Sequence, residues 1–187
     1  MGICYAKAVT DIDGFIYYTP SDLAMRKLCS AKSNSSLDKY SAIFIPGGYG
    51  CMINLPRSKA LGKLLHMAQE LELPTITLSH GPSVLLSTAQ VNGKGFAYRD
   101  YEVNCFTDKS DKAALSSGYL PGRLPWKCQE KIEKQGIKVQ NYSEIGAVHR
   151  DRELITGDSP NAANKLGIFA AQIIEEQIAT HLSNTFV

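Results

Sequence analysis

The sequence lacks the long apolar runs of a membrane-spanning protein and the excess of positive charge of a nucleic-acid-binding protein. No stretch approaches the ~18 consecutive apolar residues that a membrane-spanning helix needs. The first residues also lack the basic region and apolar run of a signal peptide. Lys and Arg number 20 against 18 Asp and Glu, for a net charge of +2. Because a nucleic-acid-binding domain usually carries a dense basic face, we predict neither a nucleic-acid partner nor a membrane.

Cysteine and histidine are present, but not in the patterns that hold disulfides or metals. The sequence has 5 cysteines and 4 histidines. The cysteines show no C-x-x-C spacing, and no two histidines have the spacing of metal ligands. The cysteines are Cys4, Cys29, Cys51, Cys105 and Cys128. The sequence therefore predicts reduced thiols, a cytoplasmic location, no metal and no other cofactor.

The first half of the chain contains an alternation of short apolar runs and amphipathic stretches. Ala42–Ile45 predicts a strand that is buried on both faces of a sheet. Apolar residues recur at helical spacing from Leu61 to Leu71, and Thr75–Leu78 predicts a second buried strand. Pro82 suits the first turn of a following helix. This order favours an α/β fold with a mostly parallel sheet and helices on both faces.

The second half continues the alternation less regularly. Tyr101–Phe106 and Ile137–Gln140 predict strands, and Lys127–Gln135 predicts a helix between them. The apolar segments on either side of the polar turn His149–Arg152 predict a hairpin, and Pro160 is suited to begin the last helix. A polar segment at residues 30–36 is typical of a linker or loop.

The segment Leu78–Pro82 is the sharpest candidate for chemistry, because a buried strand passes directly into a helix across a two- or three-residue turn. In open α/β folds such a turn lies at the carboxyl end of the sheet, where ligands bind. Ser79 in this turn would present its hydroxyl beside a helix N-terminus, as in a nucleophile elbow, although Thr77 stands where G-x-S-x-G has its first glycine. The alternative is a serine that caps the helix.

Other candidate groups follow the predicted strands. Gly47 and Gly48 can turn backbone N–H groups toward a bound oxygen, or can simply serve a turn that needs a positive φ. Asp108 can orient His80 if their strands are neighbours, or can be a turn or cap residue. The sequence also leaves two readings of Cys51 and Cys105, as reactive thiols or as small buried apolar residues.

Several segments together resemble the ThiJ/PfpI superfamily, in its HchA-type branch. Ala42–Gly50 resembles the glycine segment of this superfamily, and Leu78–Pro82 resembles its elbow. Gly118–Trp126 and Leu154–Pro160 resemble segments of the HchA-type branch, which contains heat-shock chaperones also described as glyoxalase III and as protein deglycases. The resemblance extends from about residue 39 to about residue 179 and covers most of the chain.

The resemblance implies a flavodoxin-like three-layer sandwich, a homodimer, and a Cys-His-Asp constellation at the elbow. Carried over position by position, the nucleophile falls on Ser79, the histidine on His80 and the acid on Asp108. The oxyanion donors fall on the backbone N–H groups of Gly47 and Gly48. The implied substrates are small 2-oxoaldehydes such as methylglyoxal, and the implied protein partners are unfolded clients bound during stress.

Three departures from the family pattern shape the functional expectation. The nucleophile position holds Ser79 instead of cysteine, and Tyr49 stands where the chaperone branch usually has a metal-binding histidine. Residues 1–38 are too short for the family's opening strand–helix–strand unit, so we expect a shortened N-terminal segment there and an α/β domain over residues 39–187. Loss of that unit would expose strand edges that recruit another chain.

Three functions remain open at this point. The first is an HchA-type enzyme whose glyoxalase III or deglycase chemistry is impaired, since a hydroxyl is harder to activate than a thiol. The second is a chaperone-like holdase or interaction protein that has the fold without the catalysis. The third is a hydrolase that uses Ser79, His80 and Asp108, which would require adjacent residues to align as nucleophile and base.

Overall fold

The computed structural model describes the backbone of residues 6–10, 16–20, 37, 40–120 and 122–185, and the side chains of residues 37, 40–120 and 122–180. The polar segment 30–36, the expected domain boundary between residues 38 and 39, and the side chain of His181 lie outside the described residues. The boundary therefore stays a prediction. In the part of the chain that is described, no helix is long and apolar enough to cross a membrane.

The described part of the chain contains both strands and helices. The strands are β1 (Ala6–Thr10), β2 (Ile16–Pro20), β3 (Ile43–Ile45), β4 (Thr75–Leu78), β5 (Glu102–Val103), β6 (Lys138–Val139), β7 (Val148–Asp151) and β8 (Leu154–Gly157). The α-helices are α1 (Lys59–Glu70), α2 (Asp108–Ser116), α3 (Cys128–Lys134) and α4 (Ala163–Thr185). Short 3-10 segments are Tyr49–Met52, Leu55–Arg57, Gly81–Gln90 and Pro160–Ala162.

A four-stranded sheet with the order β3-β4-β8-β7 carries the site. Strands β3, β4 and β8 are parallel, and β7 joins β8 as an antiparallel hairpin. Two further strand pairs are not hydrogen-bonded into this sheet as strands: β1 with β2, antiparallel, and β5 with β6, parallel. The mostly parallel sheet with helices packed on it confirms the predicted α/β class, and β4 and the β7–β8 hairpin form where the sequence predicts them.

Side chains that alternate along the strands separate two apolar cores. Ile45 packs into a large core together with α1 and the segment Gly81–Gln90. Ile76 and Ile155 face the opposite side and pack against α4. Period-two alternation in a strand puts successive side chains on opposite faces, so helices on both sides are required to cover the sheet.

Strand β3 departs from the sequence prediction in one respect. Ala42–Ile45 predicts a strand buried on both faces, yet the side chain of Phe44 is 59% exposed while Ile45 is buried. Phe44 lies opposite Ile76 in the parallel register and so points to the face that α4 covers. Strand β3 is at the edge of the four-stranded sheet, and burial on both faces is a property of central strands.

Candidate active site

The carboxyl end of β4 turns sharply at Ser79. Its φ is 59°, in the left-handed region that costs a non-glycine residue about 1–3 kcal/mol. Two backbone hydrogen bonds hold the turn: Ser79 donates its N–H to the carbonyl of Gly157 at 2.8 Å, and Phe106 donates its N–H to the carbonyl of Ser79 at 3.0 Å. The strained turn is thus fastened to β8 on one side and to the chain after β5 on the other.

The hydroxyl of Ser79 faces the imidazole of the next residue. The distance from Ser79 Oγ to His80 Nδ1 is 3.4 Å, and both side chains are buried. The 3-10 segment that follows begins at Gly81, with His80 at its N-cap position and no side-chain capping hydrogen bond. The structure therefore favours a hydroxyl directed at histidine over the capping alternative.

The acid that touches His80 is Asp111, not Asp108. His80 Nε2 lies 3.2 Å from each carboxylate oxygen of Asp111, which is buried on α2. Asp108 instead accepts the backbone N–H groups of Gln129 and Glu130, both at 3.0 Å, and so caps the first turn of α3. The expected contact between Asp108 and His80 is not formed, because α2 presents a side chain three positions later to the imidazole.

The orientation of α2 is set at its N-terminus. The Thr107 hydroxyl caps the helix by accepting the N–H of Ser110. Glu144 accepts the Thr107 N–H at 2.7 Å and also the Ser110 hydroxyl. Although burial alone would raise it, the pKa of Glu144 lies below its ordinary value because of these hydrogen bonds. An ionised carboxylate at a helix N-terminus stabilises the helix, which places Asp111 at the elbow.

The glycine segment after β3 packs directly against the elbow. A Cβ atom at Gly47 would lie 2.3 Å from the carbonyl oxygen of Leu78 and 2.7 Å from Cβ of Ser79. Gly48 has a φ of 103°, which side chains rarely adopt. Only glycine at position 47 permits this approach. The structure thus brings Gly47 against Ser79, which contacts His80, as predicted, and Gly48 follows Gly47 in the same segment.

Two aromatic rings enclose the imidazole of His80. The ring of Tyr49 lies 4.6 Å from that of His80, and the ring of Phe106 lies 4.8 Å away. The Tyr49 hydroxyl donates a hydrogen bond to Asp111 Oδ1 at 3.1 Å. The sequence alone did not indicate that either ring, or Asp111, contacts His80. The only local signal for Asp111 was its spacing of about one helical turn from the Thr107 cap.

The described cysteines do not supply a nucleophile. Cys51, Cys105 and Cys128 are buried as free thiols. Burial raises the pKa of Cys51 to about 11, and burial likewise raises the pKa of Cys105 and of Cys128. A thiol held protonated is a poor nucleophile, so the interpretation as small buried residues is favoured.

The other histidines lie away from this constellation. His66 is buried on α1 with Nε2 3.1 Å from the carbonyl of Thr88, which is a structural contact. His149 Nε2 lies 3.6 Å from a carboxylate oxygen of Glu102. Over the described ranges no three His, Cys, Asp or Glu side chains are grouped so that they could hold a metal ion. The expected absence of a metal stays a prediction.

Comparison with known proteins gives clear relatives. No protein-family model matches the chain. A protein/nucleic acid deglycase HchA of Pseudomonas aeruginosa is 40% identical over 166 residues, which are 87% of this chain and 57% of that protein. The HchA of Escherichia coli is 38% identical over 159 residues, 84% of this chain and 54% of that protein. The chain thus spans little more than half the length of these relatives.

Solved structures agree on the fold. Glyoxalase III of Candida albicans superposes with a TM-score of 0.58 at 18% identity, covering 82% of this chain and 69% of that one. At this identity the likeness establishes the fold alone. Together, the shared fold and the sequence similarity over most of the chain confirm both the predicted architecture and the resemblance drawn from the four motifs.

Proposed function

Because the chain belongs to the ThiJ/PfpI superfamily and is similar in sequence to its HchA-type proteins, we propose that the Ser79 site binds small 2-oxoaldehydes such as methylglyoxal and converts them slowly. The observation that carries this proposal is the buried chain of contacts from Ser79 Oγ through His80 to Asp111. It supplies a nucleophile position, a base and an orienting acid, and the nucleophile is a hydroxyl.

The proposed reaction needs no external oxidant or reductant. Ser79 Oγ bonds to the aldehyde carbon, its proton passes to Nδ1 of His80, and the carbonyl electron pair moves to oxygen beside the N–H groups of Gly47 and Gly48. His80 returns its proton to that oxygen. Removal of the proton on the former aldehyde carbon leaves its electron pair in the C=C bond of an enediol, and the neighbouring carbonyl oxygen takes up a proton. A proton then adds to the neighbouring carbon as the hydroxyl of the first carbon becomes a carbonyl, so that the aldehyde carbon is oxidised, its neighbour is reduced, and a 2-hydroxy ester of Ser79 is formed. Water cleaves this ester and gives a 2-hydroxy acid with free Ser79.

The hydroxyl is the reason for expecting low activity. Cysteine ionises with a pKa of about 8.5 and is partly thiolate near neutral pH, whereas a serine hydroxyl becomes nucleophilic only as a base removes its proton. The distance of 3.4 Å from Ser79 Oγ to His80 Nδ1 is at the long end for a hydrogen bond and must shorten during the reaction.

The first test measures conversion of methylglyoxal to lactate by the unmodified protein beside Ser79→Ala. We expect a slow, saturable rate that falls at least about tenfold in Ser79→Ala, since the nucleophile is lost. A far-UV circular dichroism spectrum shows whether the variant is folded. Equal rates in the two folded proteins would contradict a catalytic Ser79.

A second prediction separates the two acids. Asp111→Asn is expected to lower kcat by about 10²-fold, because the amide does not stabilise the imidazolium that forms on His80. Asp108→Asn should leave kcat within about twofold and cost about 1 kcal/mol of stability through the weakened cap of α3. Kinetics and thermal unfolding of both variants check this. The reverse pattern would make Asp108 the acid that the family resemblance implies.

One observation favours a second function, hydrolysis by Ser79. Ser79 and His80 do align, although adjacent residues rarely do so as nucleophile and base. Acyl transfer from a small activated ester uses the same addition step with a phenolate leaving group. The proteins of the first test can be assayed with p-nitrophenyl acetate, where release of nitrophenol that is lost in Ser79→Ala would support this function.

The remaining interpretations stay predictions. These are a holdase that binds unfolded clients, a homodimer and a cytoplasmic location. Since the chain spans only 57% of its P. aeruginosa relative, the activity and partners of the whole relative come to this chain only as proposals. Impaired rather than full deglycase chemistry is the function that the serine at the elbow supports best.

A further inference from the structure

Tyr49 contacts two members of the proposed catalytic chain at once. It is the first residue of the 3-10 segment Tyr49–Met52, directly after the left-handed Gly48. Its ring lies against the imidazole of His80 with an interplanar angle of 43°, and its hydroxyl reaches Asp111 Oδ1 at 3.1 Å. No step of the proposed reaction uses this hydroxyl, so its role has to be sought in the arrangement of the other groups.

The directions of the hydrogen bonds follow from the groups present. Burial, and next the nearby Asp111 carboxylate, raise the pKa of the Tyr49 phenol, so the hydroxyl stays protonated and donates. An ionised carboxylate only accepts, so a hydrogen bond between Asp111 and the nitrogen of His80 that faces it requires a proton on that nitrogen. In a neutral imidazole the other nitrogen, Nδ1, is then the acceptor, and Nδ1 is the atom nearest Ser79 Oγ.

We infer that Tyr49 is a positioning residue whose hydroxyl holds the Asp111 carboxylate and thereby keeps His80 in the tautomer with Nε2 protonated and Nδ1 open to Ser79. This inference adds to the proposed function, and only the expected effect on kcat rests on that function. The arrangement of donors and acceptors is a property of the resting protein.

The hydroxyl, and not only the ring, is required by the geometry at Asp111. The two carboxylate oxygens lie at the same distance from His80 Nε2, 3.2 Å, so the imidazole alone does not select one orientation of the carboxylate. Tyr49 donates to Oδ1 and is the second side-chain donor that Asp111 has among the described residues. The backbone of Tyr49 belongs to the 3-10 segment Tyr49–Met52, and that of Asp111 belongs to α2.

The test uses Tyr49→Phe, which keeps the ring against His80 and removes only the donor. Long-range proton–nitrogen NMR spectra of protein labelled with nitrogen-15 histidine report which ring nitrogen is protonated, at a pH where the imidazole is neutral. We expect one tautomer, protonated at Nε2, in the unmodified protein and a mixture in Tyr49→Phe. Asp111→Asn should also lose the single tautomer. Tyr142→Phe, at a side chain that is 84% exposed, is the matched control and should leave the spectrum unchanged.

A His80 signal that keeps the single Nε2-protonated form in Tyr49→Phe would overturn the inference, and would show that Tyr49 only packs or that water replaces its hydroxyl. A mixture in the unmodified protein would overturn it as well. In the kinetic arm, Tyr49→Phe should lower kcat for methylglyoxal about tenfold and change KM less than about twofold, as expected when orientation of a base is lost.

The two arms separate this inference from the proposed function. If the tautomer changes in Tyr49→Phe but the unmodified protein turns over no 2-oxoaldehyde, the positioning role stands and the proposed function fails. If turnover depends on Ser79 while the tautomer and kcat of Tyr49→Phe equal those of the unmodified protein, the function stands and the positioning role fails.

Discussion

Replacing Ser79 by cysteine is expected to raise the rate of methylglyoxal turnover by about 100-fold. The thiol would lie at a turn already held by backbone hydrogen bonds to Gly157 and Phe106, with His80 Nδ1 beside it. No other part of the site has to change, because cysteine differs from serine by a single atom. The gain comes from easier ionisation and from the intrinsically greater nucleophilicity of sulfur.

The experiment compares kcat/KM of the unmodified protein, Ser79→Cys and a second cysteine variant. Ser117→Cys, on an exposed residue just after α2, is the matched control for the uncatalysed reaction of a new thiol with the aldehyde. Only Ser79→Cys should show saturable formation of lactate above the unmodified protein. If kcat/KM of Ser79→Cys is equal to or lower than that of the unmodified protein, the serine does not limit the rate of the reaction.

Replacing Gly47 by alanine is expected to have the largest effect on stability, about 3 kcal/mol or more in the free energy of unfolding. The new Cβ would lie 2.3 Å from a carbonyl oxygen of the Leu78 backbone, which cannot rotate away as a side chain would. The glycine segment or the elbow must therefore shift, and overpacking at a tight backbone contact typically costs about 1–3 kcal/mol even where side chains can adapt. Chemical denaturation measures the loss.

The matched control is the same substitution at Gly167, on α4. A Cβ there meets nothing within 4 Å, so Gly167→Ala should stabilise the protein by about 0.5–1 kcal/mol through the higher helix propensity of alanine. If the free energy of unfolding falls in Gly47→Ala and rises in Gly167→Ala, the loss at Gly47 is due to its contact with the elbow. A loss at Gly47 of less than about 1 kcal/mol would instead show that the two segments separate easily.

Much of the fold could be predicted from local sequence. The run Thr75–Leu78 is short, β-branched and followed by turn residues, so its strand begins and ends where the pattern indicates. The β7–β8 hairpin was predicted for the same reason. Strand β3 shows the limit of this reasoning: its composition indicates burial on both faces, but its place at the sheet edge leaves Phe44 exposed.

The candidate site also has residues that the sequence identifies and one, the acid, that it does not. Ser79 and His80 are neighbours in the chain, and the glycine segment that packs against them follows a recognisable strand, so local pattern was enough to find them. The acid lies about 30 residues away, where Asp108 and Asp111 stand three positions apart on one helix. At ~100° of rotation per residue, a choice between them depends on how α2 is rotated against the elbow.

The sequence by itself determined the α/β class, the strained turn at Ser79, the close glycine segment and the presence of a hydroxyl at that turn. Each of these depends on the identity or periodicity of residues near one another in the chain. Only the tertiary structure decided that Asp111 faces His80, that Asp108 caps α3 and that Tyr49 donates to Asp111. Those contacts join segments that local propensity leaves free to rotate, and the contact of α2 with α3 together with the Glu144 cap of α2 selects a single arrangement.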